Sequence, residues 1–143
     1  MSEPLVVRRT IPTARERVFD AWLDPTRLAR FMRPGSTGRA TAEVDPRVGG
    51  RFRIVMYHPN SKSGTEHTGE YLLIDRPQRL AFTWRSIHTD DKETTVTIDF
   101  IDLDGATEII LTHTQLPPKA ADAHRKGWND ILAALPAACA AKP

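Results

Sequence analysis

The side chains of this 143-residue chain best equipped for chemistry are five histidines, three tryptophans, one cysteine and a glutamate pair at 66 and 70. His113 closes the series Thr107, Ile109, Leu111, His113, which the strand period of two puts on one face. A neutral imidazole there can orient a ligand or act as a base near pH 7. It can equally tie a strand to a helix through a local hydrogen bond, the usual state of a buried polar group. Trp84 and Trp128 each supply rigid apolar area and one indole donor, which suits a pocket wall and also a plain core. Phe31, Met32, Met56 and Phe82 carry the same double reading, since methionine both adapts to ligands and fills core gaps. Glu66 and Glu70 share parity on one strand. An inward carboxylate is costly unless paired or protonated, so solvent is their expected place.

Other chemistries lack their residues. His58, His67 and His88 read as lying in or beside loops, and His124 precedes Trp128 by four. No His-x-x-x-His or Glu-x-x-His pair falls on a shared helical face, so no metal site is expected. Gly49-Gly50 and the Gly35/Gly38 pair do not make a phosphate loop, and no serine stands in a nucleophile-elbow setting. Cys139 sits in an alanine-rich tail without a basic sequence neighbour, which gives thiolate catalysis no support. No cofactor is implied.

The elements that must position these groups follow from pattern. Leu5 to Ile11 is a β-branched run stopped by Pro12, a first strand. Thr13-Ala14-Arg15-Glu16 has the form of a capping box and starts a helix whose Ala14, Val18, Ala21 and Trp22 recur at helical spacing. Asp24 and Pro25 are an N-cap and first-turn pair for a short second helix with Leu28, Phe31 and Met32, ending near Pro34-Gly35. Residues 35–41 read as loop. Phe52, Ile54 and Met56 then share one strand face, with a bend at Gly49-Gly50. The segment from His58 to Glu66 is a hairpin connection, and Glu70 to Ile74 a strand in which Leu72-Leu73-Ile74 hides which face is inward. Leu80, Phe82 and Trp84 alternate, as do Val96, Ile98 and Phe100, and Asp104-Gly105 turns the chain into the strand ending at His113. From Lys119 the period becomes helical, with Ala121, His124, Trp128, Ile131, Leu132 and Leu135 in one stripe. Pro136 is expected to end or fray that helix.

The resulting order is one strand, two helices, six strands and a long helix. A sheet apolar on one face needs a cover, and the last helix is the only element long enough to provide it. A single α+β domain over residues 1–143 follows, with 40% apolar and 27% charged residues in the globular range. No apolar leader or stretch of membrane-spanning length is present, and the single cysteine suits a reducing compartment, so the cytoplasm is the expected location. Charge is unevenly placed: residues 1–53 hold eleven arginines against six acids, and residues 86–108 one lysine against seven acids. That asymmetry can steer a charged partner. No basic stripe with interleaved aromatics suggests nucleic acid.

The segments RRTIPTARERVFDAWLDPTRLARFM, VGGRFRIVM, GEYLLIDRPQRLAFTW, TEIILTHTQL and GWNDILAALPA, in that order, resemble the START-like (SRPBCC) superfamily, in the branch related to the activator of the heat-shock-ninety ATPase. The resemblance implies a helix-grip fold: a seven-stranded curved antiparallel sheet around the C-terminal helix, closed at one end by two short helices. It implies a cavity for lipids, polyketides or other apolar molecules, a chaperone or stress-response association, or cyclase or aromatase chemistry. A histidine at position 113 matches the family's scaffold pattern. Three functional expectations stand: an apolar small-molecule binder walled by Phe31, Phe52, Ile54, Met56, Phe82, Trp84, Ile98, Phe100, Ile109, His113 and Trp128; a cyclase-like enzyme moving protons with His113 and Glu70; and a protein-interaction module for a chaperone. Read as a single domain, the chain is expected to lack the separate N-terminal domain that the resemblance associates with the chaperone activators, which argues against a co-chaperone role. Edge pairing of the sheet would allow a homodimer.

Overall fold

Alternating burial along the later strands builds the sheet. In a computed structural model describing residues 3–33 and 39–140, Thr107, Ile109, Leu111 and His113 face inward and their neighbours outward. Val96, Ile98 and Phe100 do the same on the preceding strand. Seven strands result among the described residues: β1 (Leu5–Ile11), β2 (Arg39–Val44), β3 (Arg51–Tyr57), β4 (Gly64–Asp75), β5 (Arg79–Trp84), β6 (Thr94–Asp102) and β7 (Thr107–Thr114). Their spatial order is β1-β7-β6-β5-β4-β3-β2, and every neighbouring pair is antiparallel. The first strand thus closes beside the last, while β2 and β1 form the two edges. Helices α1 (Arg15–Ala21) and α2 (Pro25–Phe31) precede β2, and α3 (Ala121–Ala140) follows β7.

The long helix lies in the hollow of the curled sheet because its buried positions, Trp128, Ile131, Leu132, Leu135, Ala138 and Cys139, fall on one helical face. One core joins it to both short helices and all the inner strand faces. Phe19 of α1 meets Phe100 with ring centroids 5.0 Å apart, and Trp22 meets Phe31 edge-on at 5.0 Å. The helix-grip α+β architecture expected from the resemblance is therefore present.

Several local expectations require correction. The start of α1 is not a capping box: the N-cap is Ala14, with no side-chain cap bond, and the Thr13 carbonyl instead accepts from Thr107 Oγ1 at 2.8 Å. That bond docks the helix entry on β7. Asp24 does cap α2, accepting from the Thr26 N–H at 2.9 Å. Residues 39–41 are strand rather than loop, pairing with Val55, Met56 and Tyr57, while Pro34, Gly35 and Gly38 lie outside the described residues. Gly64, Thr65 and Glu66 belong to β4, held in register by β3. Pro136 does not end α3, which continues to Ala140. Its missing N–H costs one backbone bond. Burial of Ala138 and Cys139 offsets it, as do Arg27, donating to the Ala138 carbonyl at 2.6 Å, and Arg17, donating to Cys139 O at 2.8 Å. These cations also suit the negative end of the helix dipole.

Gly69 faces inward on β4 where no side chain fits, because a Cβ would collide with the Thr83 carbonyl and the Phe52 ring. The space so left lets Phe52 pack against Tyr71, Phe82 and Trp84 at 5.5, 5.4 and 6.0 Å. Gly69→Ala is expected to lose about 2 kcal/mol or more in urea denaturation, since a backbone oxygen cannot swing aside as a side chain can. An unchanged midpoint would show that β4 relaxes there.

Candidate functional site

The inward residues of β4 are His67, Gly69 and Tyr71, so Glu66 and Glu70 point outward. Glu66 pairs with Arg53 at 2.5 Å, and Glu70 lies 3.9 Å from Arg51. Glu70 is therefore on the outer face of the sheet and cannot share protons with His113. His67, expected beside a loop, is instead a strand residue at 5% exposure, stacked on Trp84 with centroids 4.8 Å apart. Trp84 also meets Trp128 of α3, at 5.0 Å.

Beside these rings lies a pocket of about 200 Å³ between sheet and helix, lined by Met56, His67, Trp84 and His88 on one side. Ala123, His124, Gly127, Trp128 and Ile131 of α3 line the other. Ala123 and Gly127 keep the space open by offering no more than a methyl group. Exposed Ala123 and His88 mark its mouth, and a 3.3 Å ion pair between Lys119 and Asp90 joins the two segments that carry them. A second space of about 10 Å³, among Trp22, Met32, Phe52, Tyr71, Phe82 and Trp84, is no larger than a water molecule needs.

His113 sits behind Trp128 in a closed chain of bonds. The indole Nε1–H of Trp128 donates to His113 Nδ1 at 3.0 Å. An indole only donates, so Nδ1 must be bare and the proton must sit on Nε2. That Nε2 is 2.7 Å from Thr94 Oγ1, whose own hydrogen goes to the Trp84 carbonyl at 2.5 Å. Both nitrogens are thereby committed, and protonating Nδ1 would set two donors against each other. Burial, then the nearby charge of His124, pushes the His113 pKa down to about 3. The base role has no free nitrogen to work with. What remains is a strand-to-helix tie.

His67 and His124 also favour the neutral form. Burial lowers His67 to about 4, helped by the charge of His88 and weakly opposed by the Thr65 and Ile54 carbonyls. His124 is lowered mainly by burial, against the pull of the Ala120 carbonyl. That carbonyl accepts from His124 Nδ1 at 2.9 Å. His67 Nδ1 is buried with no hydrogen-bond partner among the described residues. Among the described residues no group of three or more histidines, cysteines or acids is placed to hold a metal ion. Cys139 is buried, and contrary to expectation it has basic neighbours in space, Arg17 and Arg27; burial nevertheless dominates and raises its thiol pKa.

The profile of the family described as "Activator of Hsp90 ATPase homolog 1-like protein" matches residues 12–140. The chain belongs to this family. Among solved structures, this AHSA1-like chain is similar to a protein from Chromobacterium violaceum at 24% identity, covering 95% of this chain and 96% of that one with a TM-score of 0.81. It is similar to an AHSA1-like protein from Aeromonas hydrophila at 26% identity, covering 95% and 91%, TM-score 0.76. It is likewise similar to an HSP90 activator from Plasmodium falciparum at 26% identity, covering 89% and 88%, TM-score 0.71. No curated protein matches the chain in sequence. Among the described residues no helix is long and apolar enough to cross a membrane.

Of the wall residues expected for this AHSA1-like chain, Met56, Trp84 and Trp128 line the larger pocket. Phe52, Ile54 and Phe82 surround the water-sized space. Phe31, Ile98, Phe100 and Ile109 line neither and pack in the core, while His113 stands behind Trp128. Sequence reasoning missed His67, His88, His124, Ala123, Gly127 and Ile131. The signal for His67 was its shared parity with Tyr71; that for Ala123 and Gly127 was their small size one turn apart beside His124 and Trp128.

Proposed function

We propose that the chain binds a small, largely apolar molecule in the pocket between the sheet and α3. The observation that carries this reading is the 200 Å³ space walled by Met56, Trp84, Trp128 and Ile131, which two small residues on the helix leave unfilled. Rigid aromatic walls with a few polar groups are the usual make-up of ligand sites. Native mass spectrometry and thermal shifts across lipids and aromatic compounds test it, with Ala123→Phe as the blocking variant. Ala123 is exposed at the mouth, so the new ring should leave stability within about 0.5 kcal/mol of wild type while abolishing the ligand-induced shift. No shift with any compound, or a shift that survives the block, would count against the pocket.

A second reading, a protein-interaction module acting with a chaperone, is favoured by the likeness to the Plasmodium falciparum HSP90 activator. Charge would guide such a contact. The basic and acidic regions partly meet within the molecule, however, as Arg8 lies 4.0 Å from Glu108 across β1 and β7. Chaperone capture lost at high salt, where exposed contacts are screened within about 8–10 Å or less, would move weight to this reading.

A further inference from the structure

If the pocket between sheet and α3 binds a ligand, as proposed, its dimensions and lining select a chemical class. Three properties constrain the occupant. The first is size. At about 200 Å³ the space is a little larger than the roughly 150 Å³ cavity that holds one benzene. One substituted ring fills it, whereas a multi-ring polyketide or lipid chain would have to protrude through the mouth.

The second is charge. Among the described residues no arginine, lysine, aspartate or glutamate lines the pocket. A carboxylate or ammonium group would leave water with no fixed counter-charge to meet it, a heavy penalty in an apolar site.

The third is unused hydrogen-bonding capacity. The Ala120 carbonyl can only accept, so His124 Nδ1 carries the proton and neutral His124 keeps Nε2 bare. None of the described groups bonds that nitrogen. His67, 95% buried by its 5% exposure, has a ring nitrogen without a partner among the described residues. Buried polar atoms such as His67 Nδ1 are seldom left so, and His67 and the half-buried His124 both line the same space. A hydroxyl group answers both needs, because it donates through its hydrogen and accepts through its lone pairs.

We propose that the pocket takes a neutral single-ring hydroxyaromatic molecule of the phenol class, its ring packed on Trp84 and Trp128 and its hydroxyl donating to His124 Nε2. His67 is the second polar contact, and Met56 and Ile131 receive the ring substituent.

Calorimetry at about pH 7 with p-cresol, toluene and benzoate separates the contributions. p-Cresol is expected to bind about tenfold more tightly than toluene, the worth of one buried hydrogen bond that would otherwise go unmade, and benzoate not measurably. His124→Phe should remove most of the p-cresol advantage over toluene, leaving only what the His67 contact supplies. Should that variant fail to fold, ring-nitrogen NMR of the wild type replaces it: the His124 Nε2 resonance moves with p-cresol and not with toluene. Toluene binding as tightly as p-cresol, benzoate binding tightest, or an unmoved His124 resonance would overturn the phenol assignment and leave a ligand-binding pocket. Binding of a lipid or multi-ring compound with no single-ring binding would also overturn it. No binding by any compound would remove both readings together.

Discussion

His113→Ala is expected to lose about 3–5 kcal/mol of folding stability, read as a shift of the urea midpoint. The loss has two sources. Removing a fully buried imidazole leaves a cavity, as in other large-to-small core changes. It also strands the Trp128 indole N–H, which then lies buried with no acceptor, and unmade buried bonds of this kind cost about 1–3 kcal/mol each. Trp128→Phe leaves the opposite fault, a buried His113 Nδ1 with no donor, and should also destabilise the fold. The double variant should fall short of the sum of the singles, because the residues share one bond. A His113→Ala protein as stable as wild type would mean that the Trp128–His113–Thr94–Trp84 chain does not tie the helix to the sheet.

Acid should loosen the fold well above the pH at which carboxylates ordinarily titrate. His67 and His113 have folded-state pKa values of about 4 and about 3, against 6.5 in an unfolded chain. Below pH 6.5 the unfolded chain binds protons that the folded one refuses, so stability falls as pH falls, down to each folded value. Above pH 6.5 the two states are equally unprotonated at these sites and the slope vanishes. The slope is about 1.4 kcal/mol per pH unit for each histidine. The groups facing them are themselves imidazoles: His88 and His124 act on His67, and His124 on His113, all disfavouring the charged form. Urea midpoints measured from pH 8 to 5 test this, and His67→Phe should remove that residue's share of the slope, up to about 1.4 kcal/mol per pH unit. A flat profile between pH 6.5 and 5 would show that these rings reach solvent or find acceptors.

Where the hydrophobic period was unbroken, residues announced their places. Val96, Ile98 and Phe100, and Thr107 through His113, face the helix as their alternation requires, because a strand buried on one face leaves no second register. The stripe on α3 was legible for the same reason. β4 was not. Leu72, Leu73 and Ile74 are apolar in succession, and the register slips between Tyr71 and Leu73, so parity could not be carried back from the apolar run to His67. Leu72 and Leu73 are in fact exposed. Local signals also yielded to tertiary ones. Pro136 reads as a helix stop, yet the capping arginines come from α1 and α2, more than a hundred residues away in sequence. Thr13 reads as a cap, yet its segment is spoken for by Thr107. The pocket itself depends on what Ala123 and Gly127 lack, and an absence of side chain has no hydrophobic signature.

Chemical-shift mapping of the full chain during a p-cresol titration tests the central claim most directly. Saturable changes are expected at the Met56 and Ile131 methyl groups and at the indole N–H groups of Trp84 and Trp128, with the exposed residues Leu72 and Leu103 unmoved. Perturbations spread over the outer face, or none at the four wall residues, would contradict a site for a single-ring ligand between the sheet and α3.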